Sequence, residues 1–196
     1  MMQEKTMPSK TTNCVSLVVS IVLLFAFAGV GHADSETIDL TYQTAGLEPA
    51  EFSKRVAIIT LKDNRTDAAI GESGKGKRFY SRVPVNEWIT RALTDELKSI
   101  GCTVEYHDTA GDFDTDVTIT GTVEEAFIQQ DSWTKYNVNL RLELYVTVGT
   151  KKITRTYRSA MTKRTVPSFS FNSNVATESL QTVMKEAVMN IEEILK

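Results

Sequence analysis

The chain is poor in the residues on which catalysis and metal binding most often draw. It holds two histidines and two cysteines in 196 residues. Cys14 and His32 lie near the N-terminus; Cys102 and His107 lie in the remainder. One histidine in that remainder excludes a zinc site built on several histidines. One cysteine there excludes an intramolecular disulfide. Cys102 and His107 are five residues apart across an expected strand, and odd spacing sets them on opposite faces. No serine sits in a strand-to-helix elbow that could pair with His107. Positive charge is not in excess either: the formal net charge is −3, so no general attraction to nucleic acid is expected. Repeats and low-complexity tracts are absent. No apolar run reaches the ~20 residues that span a bilayer.

What is present begins with an export signature. A polar start carries Lys5 and Lys10 against Glu4. An apolar stretch over residues 15–30 follows, with Val18, Val19, Ile21, Val22, Leu23, Leu24, Phe25 and Phe27 at its heart. It closes on Gly31-His32-Ala33 ahead of Asp34. A weakly positive start, an apolar middle and small residues at −3 and −1 read as a secretory signal peptide. Residues 1–33 are therefore expected to be cleaved and residues 34–196 to form one exported domain in the periplasm. An uncleaved anchor is the other reading. Lipid attachment needs a Cys just after the apolar stretch, but Cys14 precedes it; an unlipidated product is expected. Removing Lys5, Lys10 and Glu4 moves the formal charge from −3 to −4.

Periodicity then sets the fold class. Ile38, Leu40 and Tyr42 alternate with polar residues over 37–43, the pattern of a half-buried strand. Residues 56–61 form a short, β-branched apolar run, a strand covered on both faces. Residues 62–82 read as a long loop with Gly71, Gly74 and Gly76. Val85, Trp88, Ile89, Ala92, Leu93, Leu97 and Ile100 make one helical stripe, with Gly101 as its C-terminal cap. Short and long strands are predicted at 103–106, 117–130, 136–148 and 153–163. Gly149-Thr150-Lys151 turns the last two against each other. A final helix over 175–195 is expected, capped by Ser173 or Asn174. The order β-β-α-β-β-β-β-α predicts an α+β fold: a mixed sheet with an antiparallel meander, and helices packed on one face.

Candidate chemistry is thin. Gly71 to Arg78 nearly matches a phosphate-binding loop, but Arg78 replaces the Ser or Thr that would hold magnesium, and no helix follows directly. Asp112, Asp114 and Asp116 begin like a calcium loop, yet Val117 and Val123 stand where Gly and Glu are needed. Neither supports a cofactor or metal. Two basic groups favour binding instead: Lys75, Lys77, Arg78 and Arg82 in the loop, and Arg155 and Arg158 with Lys151, Lys152, Lys163 and Arg164 in and around the last strand. The second group also fits charges that discourage edge pairing. A basic loop suits an acidic partner or anionic headgroups at a membrane periphery. Trp133, Phe169 and Phe171 either form an exposed apolar patch or cover the core.

Three stretches resemble the YajG-type family of envelope lipoproteins. They are Thr37-Ile38-Asp39-Leu40-Thr41-Tyr42, the run Val56-Ala57-Ile58-Ile59-Thr60-Leu61-Lys62-Asp63-Asn64-Arg65, and the helix end Leu97-Lys98-Ser99-Ile100-Gly101 with the later Val117-Thr118-Ile119-Thr120-Gly121. The resemblance implies an outer-membrane-associated, periplasm-facing domain without known catalytic residues; the lipid-bearing Cys of that family is missing here. Asp63 and Arg65 are expected to pair at a strand end and fix the loop. The function expected is a non-catalytic envelope accessory protein that binds a protein partner or another envelope component. The alternative is a small periplasmic hydrolase using His107 with Asp112, Asp114 and Asp116.

Overall fold

Alternation is strongest where the longest strands form. The computed structural model describes residues 34–50, 54–164 and 171–196; the expected signal peptide and Phe169 lie outside the described residues. In chain order the elements are β1 (Ser35–Ile38), β2 (Arg55–Ile59), β3 (Lys62–Asp63), β4 (Gly71–Ser73), β5 (Arg78–Ser81), α1 (Val85–Ser99), β6 (Thr103–His107), β7 (Val117–Gln130), β8 (Lys135–Val148), β9 (Lys151–Arg164) and α2 (Phe171–Leu195). The α+β class and the mixed sheet with its antiparallel meander are as expected; the sheet is open.

β7 is the spine of the sheet. Along one side it pairs antiparallel with β8, which pairs antiparallel with β9. Its other side is shared by three parallel partners: β2 at its start, β3 at its middle and β4 at its end. β6 extends the sheet beyond β2, and β5 and then β1 extend it beyond β4. A register shift between Val123 and Glu125 falls where β3 sits, so the sheet changes partners at a bulge. Two residues, Gly149 and Thr150, connect β8 to β9; Gly149 has φ +56°, the left-handed geometry that such hairpin turns demand.

The core lies between the sheet and the two helices. Val117, Ile119 and Val123 of β7 and Val138, Leu140, Leu142, Leu144 and Val146 of β8 are buried. Ile89, Leu93 and Leu97 of α1 and Leu180, Val183 and Ile191 of α2 join them in one apolar cluster. The expected C-terminal cap of α1 is present: Gly101 has φ +100°, its N–H donates to the Lys98 carbonyl, and Cys102 N–H donates to the Leu97 carbonyl. Cys102 is buried and free. Burial pushes its thiol pKa up, which suits a small apolar side chain and not a nucleophile.

Three expectations change. The 62–82 loop contains β3, β4 and β5, each too short to print a period. The first strand ends at Ile38, not Gln43, because helix side chains replace the ladder beyond it. Trp88 Nε1 and Thr177 Oγ1 both donate to the Thr41 carbonyl, at 2.9 and 2.7 Å, and Gln181 Nε2 donates to the Gln43 carbonyl at 2.8 Å. Residues 39–50 are thus a strap laid on the helices. Finally, α2 already runs through Ser173 and Asn174, so neither is its cap.

Candidate functional site

Turn chemistry builds one concave site. The β4–β5 connection is closed by Ser73, whose N–H donates to the Lys77 carbonyl while its hydroxyl accepts from Lys77 N–H. Gly76 takes φ +78° there. The β7–β8 connection is held by Asp131, which accepts from Lys135 Nζ at 2.7 Å and from Asn137 Nδ2 at 2.8 Å. Parallel pairing of Ser73 with Gln130 brings the two turns side by side. Between them opens a groove of about 460 Å³, lined among others by Lys75, Lys77, Gln130, Trp133, Tyr136 and Asn172. Trp133 is 72% exposed, and Asn172 Oδ1 is buried without a hydrogen-bond partner. The groove thus offers an aromatic surface, amide groups and the Lys75 ammonium to a ligand; its two carboxylates, Glu36 and Asp131, are ion-paired with Lys77 and Lys135.

The basic residues of this region differ in availability. Lys77 pairs with Glu36 at 2.9 Å, Arg78 with Asp67, and Arg82 with Asp39 at 2.8 Å. The hydrogen bond from Lys77 to Glu36 and the attraction of that carboxylate raise the lysine's pKa. Lys75 is exposed and has no ion pair among the described residues. Arg155 and Arg158 lie on β9, a different part of the sheet; both are exposed and have no ion pair among the described residues. Arg155 lines a surface cavity with Asn190, Glu193 and Ile194 of α2. Arg158 stands in register with Arg141. The six residues therefore do not form one site: Lys75 and Lys77 share the groove, while Arg155 and Arg158 share a strand.

Asp63 and Arg65 pair as expected. Arg65 Nε and its terminal nitrogen donate to the two carboxylate oxygens at 2.9 and 2.8 Å, and the guanidinium also donates to the Ala69 carbonyl at 3.3 Å. The Arg65 side chain is only 8% exposed. Burial pushes the Asp63 carboxyl up, but hydrogen bonds from the Arg65 side chain and backbone outweigh it and hold the pKa below the usual value of 3.8. A depressed folded-state pKa gives stability that is present above the unfolded value and lost as pH falls through the folded one. Wild-type protein should therefore lose stability relative to Asp63→Asn on acidification below pH ~4, read from melting curves between pH 7 and pH 3. Parallel curves would contradict this assignment.

Three residues of the hydrolase alternative, His107, Asp114 and Asp116, have structural partners, and none of the contacts joins them to Asp112. His107 stacks on Phe113 with ring centroids 3.9 Å apart and lies 3.5 Å from Glu105. Asp114 accepts from the Arg55 guanidinium at 3.0 Å, and Asp116 accepts from Arg55 N–H at 2.8 Å. The Arg55 hydrogen bond and charge lower the Asp114 pKa. Among the described residues, no group of three or more His, Cys, Asp or Glu could hold a metal ion. No described helix is long and apolar enough to cross a membrane.

The sequence reading missed Glu96. It sits on α1 with no exposure, and one oxygen accepts from both the Tyr42 hydroxyl and the Ala45 N–H. The available signal is spacing: Glu96 falls four residues after Ala92 and three after Leu93, on the apolar stripe of the helix.

No protein-family model matches the chain, and no curated protein matches it in sequence. Solved structures do resemble it. Protein XCC0632 from Xanthomonas campestris, of the family model DUF330, gives a TM-score of 0.57 at 10% identity, over 78% of this chain and 92% of that one. An uncharacterized protein gives 0.49 at 13% identity, over 82% and 100%. Lipoprotein GNA1162 from Neisseria meningitidis gives 0.30 at 11% identity, over 69% and 95%. At such identities the likeness concerns fold alone. Of these three, the first reaches a TM-score that supports a shared architecture, and that architecture is the same sheet-and-helix α+β arrangement.

Proposed function

We propose that this chain is an exported, non-catalytic accessory protein of the periplasm that binds a protein partner or other envelope component through the groove between its β4–β5 and β7–β8 turns. One observation carries the reading: an exposed tryptophan and a lysine without an ion pair among the described residues line the same groove of about 460 Å³. Aromatic side chains supply large contact area at small entropic cost, and a free ammonium selects acidic groups. The export signature at residues 1–33 and the resemblance to YajG-type envelope proteins support the location. The ion pair of Lys77 with Glu36 makes that cation a support of the groove rather than its main contact, while Arg78 and Arg82, paired with Asp67 and Asp39, do not line it.

The test is affinity capture from crosslinked envelope. Wild-type protein should retain a specific partner, and Trp133→Ala and Lys75→Glu should each reduce its recovery roughly tenfold, the loss expected when a central aromatic or charged contact is removed. Recovery unchanged by both variants would remove the groove from the binding surface.

A further inference from the structure

Strand β9 closes one side of the sheet. Among the described residues its only strand partner is β8. Every second backbone N–H and C=O along its 14 residues therefore faces away from the sheet. Such an edge is a template for another strand unless something guards it. The strand reads Lys-Lys-Ile-Thr-Arg-Thr-Tyr-Arg-Ser-Ala-Met-Thr-Lys-Arg: six cations and no carboxylate, in a chain whose net charge is −3. Lys163 pairs with Glu178 of α2, and Lys152 lies 4.6 Å over the Tyr145 ring. Lys151, Arg155, Arg158 and Arg164 are exposed and lack an ion pair among the described residues.

Register places these cations on both faces. Tyr157 pairs with the buried Leu142, so Lys151, Arg155 and Lys163 share the face that carries α2, while Lys152, Arg158 and Arg164 share the outer face. On that outer face Arg158 stands directly opposite Arg141. Like charges in this position destabilise a sheet. Glu125 stands opposite Arg141 on the other side, yet Arg141 Nε is buried with no hydrogen-bond partner. The row is therefore short of a carboxylate beside Arg158, at the position where an added strand would present one.

We propose that the open edge of β9 receives an extended, acidic segment of a partner protein as an added strand. Main-chain hydrogen bonds would supply affinity, and carboxylates at alternate positions would select the partner. A second copy of β9 is a poor occupant, because two-fold antiparallel pairing sets cations against cations. This surface is distinct from the groove of Lys75 and Trp133, and its variants lie on β9, so either reading can fail without the other.

The probe is a capped peptide of alternating Glu and Thr, of the strand's own length, titrated against the exported protein. It should bind, and the matching Lys-Thr peptide should not. The triple variant Arg155→Glu, Arg158→Glu, Arg164→Glu should bind the acidic peptide at least about tenfold more weakly, with an unchanged circular-dichroism spectrum. Methylating the backbone nitrogens of either the Glu or the Thr residues should weaken binding for one of the two sets by about tenfold, because only one set faces β9. No binding of the acidic peptide would overturn the proposal. So would equal binding of both methylated peptides, since charge alone would then hold the ligand. A dimer abolished by the triple variant, or binding only to phosphatidylglycerol vesicles, would assign the edge to another occupant.

Discussion

Replacing Glu96 with alanine should lower the melting temperature by roughly 6–12 °C. The carboxylate is wholly buried on α1 and receives two donors from the strap, the Tyr42 hydroxyl and the Ala45 N–H. Alanine leaves both donors without their acceptor. A buried polar group left unsatisfied costs about 1–3 kcal/mol, so a loss of about 3 kcal/mol is expected for the pair. The second Glu96 oxygen is buried without a partner and offsets part of the gain that the carboxylate provides. Glutamine keeps an acceptor oxygen in the same place, so Glu96→Gln should recover most of the stability. Thermal melts at neutral pH separate the variants. A melting temperature for Glu96→Ala within ~2 °C of wild type would show that the strap is held by its other contacts, those of Trp88, Thr177 and Gln181.

The second large effect is expected at Gly121. It faces the core on β7, in register with Leu144. A Cβ at this position would lie 2.2 Å from the Glu143 carbonyl oxygen and 3.1 Å from Leu144 Cα. Both are backbone atoms of the neighbouring strand, so no rotamer change relieves the clash. The β7–β8 pair would have to part at its centre, where the ladder is longest. Overpacking costs typically 1–3 kcal/mol, and with no flexible group to yield, Gly121→Ala should sit near about 3 kcal/mol. Urea unfolding should give a lower midpoint with an unchanged slope. A loss below ~0.5 kcal/mol would mean that the strands separate freely here.

How far the fold could be read depended on length and on what each face meets. Residues 117–130 and 136–148 were legible because one face packs on helices and the other does not, over enough residues to repeat the pattern many times. Residues 71–81 were not, because β4 and β5 hold three and four residues. Leu40 and Tyr42 show how a true pattern misleads. Both pack partly against the core, but the neighbouring carbonyls of Thr41 and Gln43 are met by Trp88, Thr177 and Gln181 instead of a strand. The candidate site was readable only in pieces. Lys75 and Trp133 stand far apart in sequence, and their meeting depends on β4 pairing with the end of β7. The partners of Lys77, Arg78 and Arg82 were equally invisible, since Glu36, Asp67 and Asp39 come from other segments. Asp63 and Arg65 were read correctly because their pairing spans two residues.

The most direct measurement is site-specific photocrosslinking in living cells. A benzophenone amino acid placed at position 133, with exposed Met189 of α2 as the control position, reports what touches the groove. The account predicts a discrete adduct with an envelope component from position 133, diminished by Lys75→Glu and absent from position 189. An exported protein that yields no adduct from position 133, or the same adduct from both positions, would contradict it.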